Sequence, residues 1–203
     1  MKIGMILECT LEGPDVAVYI YVAKKLCPNL QIEKPITKGD KKTLLKEASL
    51  EAKTLLDTGC DHVFIIWDRI PRWGVPGNCV TDKSELIKSL QSLNVDPGSI
   101  ILCCIDEMME SWIIADSRGF MSWIRSKTHH VLPEIGDHKS SAKQTSPKER
   151  IKNYLKVNYN KWKYNDYEDN IEIVKRLPDL NRAANWNSSF RFFKESIENI
   201  CPN

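Results

Sequence analysis

No stretch of this 203-residue chain holds enough consecutive apolar residues to span a bilayer. The opening Met1-Lys2-Ile3-Gly4-Met5-Ile6-Leu7-Glu8 meets charge too soon to read as a secretory leader, so a cytoplasmic protein with no membrane association is expected. No C-x-x-C pair occurs among the seven cysteines, Cys9, Cys27, Cys60, Cys79, Cys103, Cys104 and Cys201, and an odd set cannot pair completely. Several lie inside apolar runs, where a reduced thiol behaves as a small hydrophobe. A reducing compartment is therefore expected, with a core large enough to need no staples. His and Cys at zinc-ligand spacing are also missing, which argues against a zinc site. There is no internal repeat and no second independent domain.

Charge is short in one sense only. The formal net charge is +2, yet residues 1–117 carry 13 Lys and Arg against 17 Asp and Glu, whereas residues 118–163 carry 11 against 3. A basic block beside an acidic one suits a protein that handles a polyanion at a metal centre, the lysines holding phosphates and the acids the ion. A lysine-rich stretch such as Lys139 to Lys148 equally suits a solvated loop. His129 and His130, being adjacent, cannot face one way on a helix and read as surface residues or phosphate contacts.

What the chain does have is three short apolar runs that each end on a carboxylate. Ile3 to Leu7 runs into Glu8, Val63 to Trp67 into Asp68, and Ile100 to Ile105 into Asp106 and Glu107. Each is the length of a buried parallel strand, and the segments between them carry helical spacing. Gly13-Pro14-Asp15 opens a helix to about Leu26. Residues 30–37 alternate like a further strand, which Pro35 confines to an edge or ends early. Asp40 caps a helix with Leu44, Leu45, Ala48, Ala52, Leu55 and Leu56 on one side, and Asp82 begins another. The pattern predicts an α/β fold around a mainly parallel four-stranded sheet. Beyond it, Met109, Trp112, Ile113, Phe120, Trp123 and Ile124 form one helical stripe, Pro147 opens a helix to Val157, and Asn187 caps a helix whose Phe190, Phe193, Ile197 and Ile200 dock on the sheet.

Acids at the carboxyl edge of such a sheet lie where open α/β folds bind ligands, and they repel one another unless a cation joins them. Glu8, Asp68, Asp106, Glu107 and Glu110 are the expected oxygen ligands of Mg²⁺ or Mn²⁺. Glu110 shares a face with Asp106 if a helix begins promptly after the strand. For Glu12 ligation and capping weigh evenly, and for Asp15 capping is favoured.

Four segments carry a resemblance: Lys2 to Glu8; Phe64-Ile65-Ile66-Trp67-Asp68; Met109-Glu110-Ser111-Trp112-Ile113-Ile114-Ala115-Asp116; and Ser189-Phe190-Arg191-Phe192-Phe193. Together they resemble the TOPRIM fold, most of all the uncharacterised bacterial TOPRIM-like proteins encoded beside ABC or AAA-type ATPases and related to the nuclease part of OLD-type proteins. The resemblance implies a Rossmann-like TOPRIM core over residues 1–126 and a basic loop with an α-helical extension over 127–203. It also implies a Mg²⁺- or Mn²⁺-dependent nuclease acting on DNA or RNA, with an ATPase partner and a role in phage defence or genome maintenance. Glu8 matches the family's glutamate and Asp68 the first aspartate of its Asp-x-Asp pair. Asp68-Arg69-Ile70 lacks the second. Either Asp106, Glu107 or Glu110 supplies the missing ligand, with Glu12 and Asp116 in support, or the site binds without cutting. Arg69, Arg72, Lys139, Lys143, Lys148, Lys161 and Lys163 are the expected phosphate contacts, and Trp162, Tyr164 and Tyr167 the candidates to stack on bases. A non-catalytic module that binds a partner ATPase or a nucleotide is the alternative, and homo-oligomerisation is left open.

Overall fold

The computed structural model describes residues 1–10, 13–70, 78–128, 132–139, 146–159 and 163–201. Its frame is a parallel sheet of β1 (Lys2–Leu7), β2 (Gln31–Ile32), β3 (Ile36–Thr37), β4 (His62–Asp68) and β5 (Ile100–Ile105). The order is β2-β1-β4-β5, and β3 pairs with β1 beyond β2. The single strand expected over 30–37 is thus two short ones, interrupted around Pro35, which has no N–H to give a ladder. The strands are apolar throughout because both faces are covered. Ile3, Met5, Leu7, Phe64, Ile66, Cys103 and Ile105 join one core cluster, while Ile6, Val63, Ile65, Trp67 and Cys104 join the other.

The second face is roofed by α2 (Lys41–Asp57) and α3 (Cys79–Ser92). Asp40 caps α2 by accepting from the Thr43 N–H at 2.9 Å. A Cβ on Gly4 would stand 2.7 Å from Leu55 Cδ1, so the missing side chain is what lets α2 sit on β1. α3 begins before the expected Asp82. Asn78 is its cap, accepting from Val80 N–H. Asp82 is instead buried, accepting from Trp67 Nε1 at 3.1 Å and lying 2.7 Å from Lys41 Nζ.

The first face carries α1 (Pro14–Leu26), α4 (Glu110–Ile113), α5 (Ser117–Thr128), α6 (Pro147–Asn158), α7 (Asp166–Lys175), α8 (Leu180–Trp186) and α9 (Ser188–Ile200). The stripe expected as one helix is broken between α4 and α5. There Asp137 accepts from the Ser117 N–H and hydroxyl, and Asp116 from the Arg118 N–H, so side chains replace the helical ladder. α5 runs through the expected boundary at residue 126. α7 and α8 had no counterpart in the sequence pattern. α9 docks as its apolar face requires: the Phe193 ring lies 5.6 Å from Phe64 and 5.2 Å from Trp112.

The cysteines depart from expectation. Cys27 is bonded to Cys201 and Cys79 to Cys104, with Cα separations of 5.9 and 5.7 Å, while Cys9, Cys60 and Cys103 are free. These pairs lie 174 and 25 residues apart, so no short spacing announced them, and cysteine usage no longer supports a reducing compartment. Among the described residues no helix is long and apolar enough to cross a membrane.

Candidate functional site

β1 and β4 are neighbours in register, Leu7 beside Ile66, so the residues just past their ends meet. Glu8 Oε2 accepts the Asp68 N–H at 2.9 Å. The first turn of α1 brings Asp15 to the same place. Gly13 occupies the cap position and Pro14 the first turn, and the cap makes no side-chain hydrogen bond, so Asp15 is not the helix cap that its position suggested. Glu110 starts α4, Lys148 lies in the first turn of α6 and Asp166 opens α7. All six side chains line one cleft of about 370 Å³, with Tyr167 on its wall.

Lys148 Nζ is ion-paired with Asp166 and lies 3.5 Å from Glu110 Oε1. It therefore sits within the acid cluster, where the sequence suggested a phosphate contact. Asp15 and Asp68 accept no hydrogen bond among the described residues. Burial pushes the Glu8 carboxyl up to about 7, against the Asp68 N–H and Lys41, which favour its charge. Burial, then the charges of Glu110 and Asp166, push Asp15 up to about 7 as well. Asp68 is held well above the usual carboxylate range by burial and by Asp15, Glu8 and Glu110. Burial raises Glu110 too, while Lys148 opposes the rise. These acids interact strongly enough that protons would be taken up by the group together.

The other expected ligands point elsewhere. Asp106 pairs with Arg69 at 3.1 Å on the far side of the β4 tip. Glu107 adopts a left-handed backbone, φ 72°, which costs a non-glycine residue on the order of 1 kcal/mol. Its carboxylate meets the fully buried His138 at 2.7 Å and its carbonyl accepts the Ile70 N–H, contacts that offset that cost. Asp106 also precedes α4 by a full turn of irregular chain, so it does not share a helical face with Glu110. Asp116 is bonded to Arg118 at 2.6 Å and lies 3.6 Å from Arg182. Of the three acids weighed for the missing ligand, only Glu110 lines the cleft.

Among the expected phosphate contacts, Lys139 lies over the Trp186 ring at 4.0 Å and Lys163 is exposed. The Tyr164 hydroxyl is bonded to Asn170, whereas Tyr167 is exposed at the cleft. Glu12, Arg72, His129, His130, Lys143, Lys161 and Trp162 lie outside the described residues. Of the acids lining the cleft, Asp15 was weighed from the sequence and assigned to capping, and Asp166 was not singled out at all. Both sit in first helical turns, where the helix dipole gives acids an ordinary role that masks any other.

Among the described residues no three His, Cys, Asp or Glu side chains already stand close enough to enclose a metal ion. The donor set is nevertheless hard oxygen, with two carboxylates that accept no hydrogen bond from the described residues. That fits a hydrated ion touching one or two of them directly. Compared with known proteins, the chain matches no family model, no curated protein and no solved structure.

Proposed function

We propose that the protein is a Mg²⁺- or Mn²⁺-dependent phosphodiesterase acting on nucleic acid, on a Rossmann-like sheet of TOPRIM type. The observation that carries this is the convergence of Glu8, Asp15, Asp68 and Glu110, from four different elements, on one cleft with a single lysine among them. Buried and half-buried carboxylates gathered in one cleft repel one another, and Asp15, Glu8 and Glu110 raise the proton affinity of Asp68. A site of that kind calls for more positive charge than Lys148 supplies. Asp15 stands in for the missing second aspartate, since Ile70 puts an apolar side chain on the cleft wall.

A bound divalent ion would polarise a phosphate and acidify a water. The chain's own groups then divide the work. Glu8, oriented by the Asp68 N–H and titrating near 7, accepts a proton from the attacking water at neutral pH. One or two of Asp15, Asp68 and Glu110 would hold the ion directly and the rest through its waters. Lys148 offsets the charge of Glu110 and Asp166, and Tyr167 offers a ring to a base. By resemblance, an ATPase encoded nearby is the proposed partner.

The test is incubation of the pure protein, alone and with that ATPase, with labelled single- and double-stranded nucleic acids in Mg²⁺ or Mn²⁺. Cleavage is expected, reduced about 10²- to 10⁴-fold by Glu8→Gln, abolished or nearly so by Asp15→Asn, and unchanged by Asp61→Asn at the opposite sheet edge. Ile70 in the place of an aspartate favours a second possibility, a binding module without chemistry. Nucleic-acid or ATPase binding with no cleavage in either metal would establish that module instead.

A further inference from the structure

The same sheet edge carries a second hollow, one strand further along, between the tips of β4 and β5. Its volume is about 630 Å³, and Arg69, Asn78, Lys83, Asp106, Ser188 and Phe192 are among its walls. The Cys79–Cys104 disulfide also lines it, tying the first residue of α3 to β5. We propose that this hollow is a phosphate subsite, holding the nucleic-acid phosphate next to the one in the acidic cleft. The proposal deepens the nuclease assignment and rests on it for the identity of the ligand.

The two hollows adjoin because consecutive residues of one strand tip serve both: Asp68 lines the first and Arg69 the second. They differ in sign. The first holds six carboxylates against Lys148. In the second, Asp106 offsets Arg69 at 3.1 Å, and Lys83 has no acid partner among the described residues, so positive charge is left over there. Lys83 Nζ instead lies 5.0 Å from the centre of the Phe192 ring, which is 42% exposed. An ammonium beside an exposed ring is the pairing that single-stranded nucleic acid uses, phosphate on the cation and base on the aromatic face. Asn78 and Ser188 add neutral donors, and α3 and α9 both begin at this rim. Of the described lysines expected to contact phosphate, Lys139 lies over Trp186 and Lys148 is engaged with the acid cluster, while Lys163 is exposed. On this proposal the strand's path runs across the β4–β5 tip.

The test compares parent, Lys83→Ser, Phe192→Ser and Lys88→Ser, the last on α3 but outside the hollow. Binding of a labelled single-stranded oligonucleotide is measured over a range of salt in EDTA, where no cleavage intervenes. Lys83→Ser should weaken binding about 3- to 10-fold and lower the salt slope by about 0.7, the value of one lost phosphate contact on a single strand. Phe192→Ser should weaken it at least about 5-fold with the slope unchanged. Lys83→Ser behaving like Lys88→Ser overturns the subsite. If the parent binds no oligonucleotide in EDTA or in Ca²⁺, the nuclease assignment falls, and a titration with inorganic phosphate decides the hollow separately. Saturable shifts of the Asn78, Ser188 and Ser189 amide signals, lost in Lys83→Ser, would retain a phosphate site; unchanged spectra would end it.

Discussion

At the scale of single residues, the cleft is governed by how carboxylates share a small volume. Glu8 has a folded pKa of about 7 against an ordinary 4.5, so the folded protein binds a proton more tightly than the unfolded chain. Its contribution to stability is then fully present below about pH 4.5 and is lost as pH rises towards 7. Asp15, raised from 3.8 to about 7, adds to the same trend. Melting of the metal-free protein should therefore fall between about pH 5 and pH 8, and saturating Mg²⁺ or Mn²⁺ should remove most of that fall by binding only the folded form. Asp68→Asn deletes a carboxylate that Asp15, Glu8 and Glu110 all repel. It should raise the metal-free melting temperature at pH 8 and shrink the metal-induced shift, both read by thermal denaturation. Lys148→Met should do the reverse, lowering stability more at pH 8 than at pH 5, because only at the higher pH are the acids it neutralises ionised.

Between elements, the polar joint at the start of α9 fixes where the site's acids stand. Asn187 Oδ1 accepts the Phe190 N–H at 2.9 Å while its Nδ2 donates to Ser111 Oγ at 2.9 Å. Ser189 Oγ takes the Asp106 N–H and the Trp112 Nε1–H. The β5–α4 connection, which sets Glu110, is thus held from the C-terminal helix. Asn187→Ala removes both a cap and a buried side-chain bond and should cost about 2 kcal/mol, measured by urea denaturation. Turnover should fall more than stability alone explains, since Glu110 loses its support. Phe193→Ala, which empties the contact with Phe64, Trp112 and Tyr19, should cost about 3–5 kcal/mol in the same assay.

Over the whole molecule, the Cys27–Cys201 bond joins the end of α1 to the end of α9 across 174 residues of sequence. Closing so long a loop restricts the unfolded chain, and its loss should cost about 2–4 kcal/mol. The paired replacement of Cys27 and Cys201 by serine is expected to melt below the parent under oxidising conditions and with it in reductant. Equal melting in both conditions would mean the bond contributes nothing to stability.

The sequence by itself determined the layers. Unbroken apolar strands need cover on both faces, helical spacing between them supplies it, and right-handed crossovers then force the strand ends, with Glu8 and Asp68, to one edge. Pro14, Asp40 and Asn187 were legible as helix starts because a cap or a first-turn proline is a local device. Which acids share the cleft was decided only in three dimensions. One left-handed residue, Glu107, turns the chain after β5 so that Asp106 and Glu107 leave the cleft and Glu110 enters it. Asp15, Lys148 and Asp166 come from helices whose packing places them there, and the partners of Glu107 and of the paired cysteines lie too far along the chain for spacing to reveal. Strand order carries an acid to an edge; the direction its side chain takes depends on backbone angles and distant neighbours that no local pattern records.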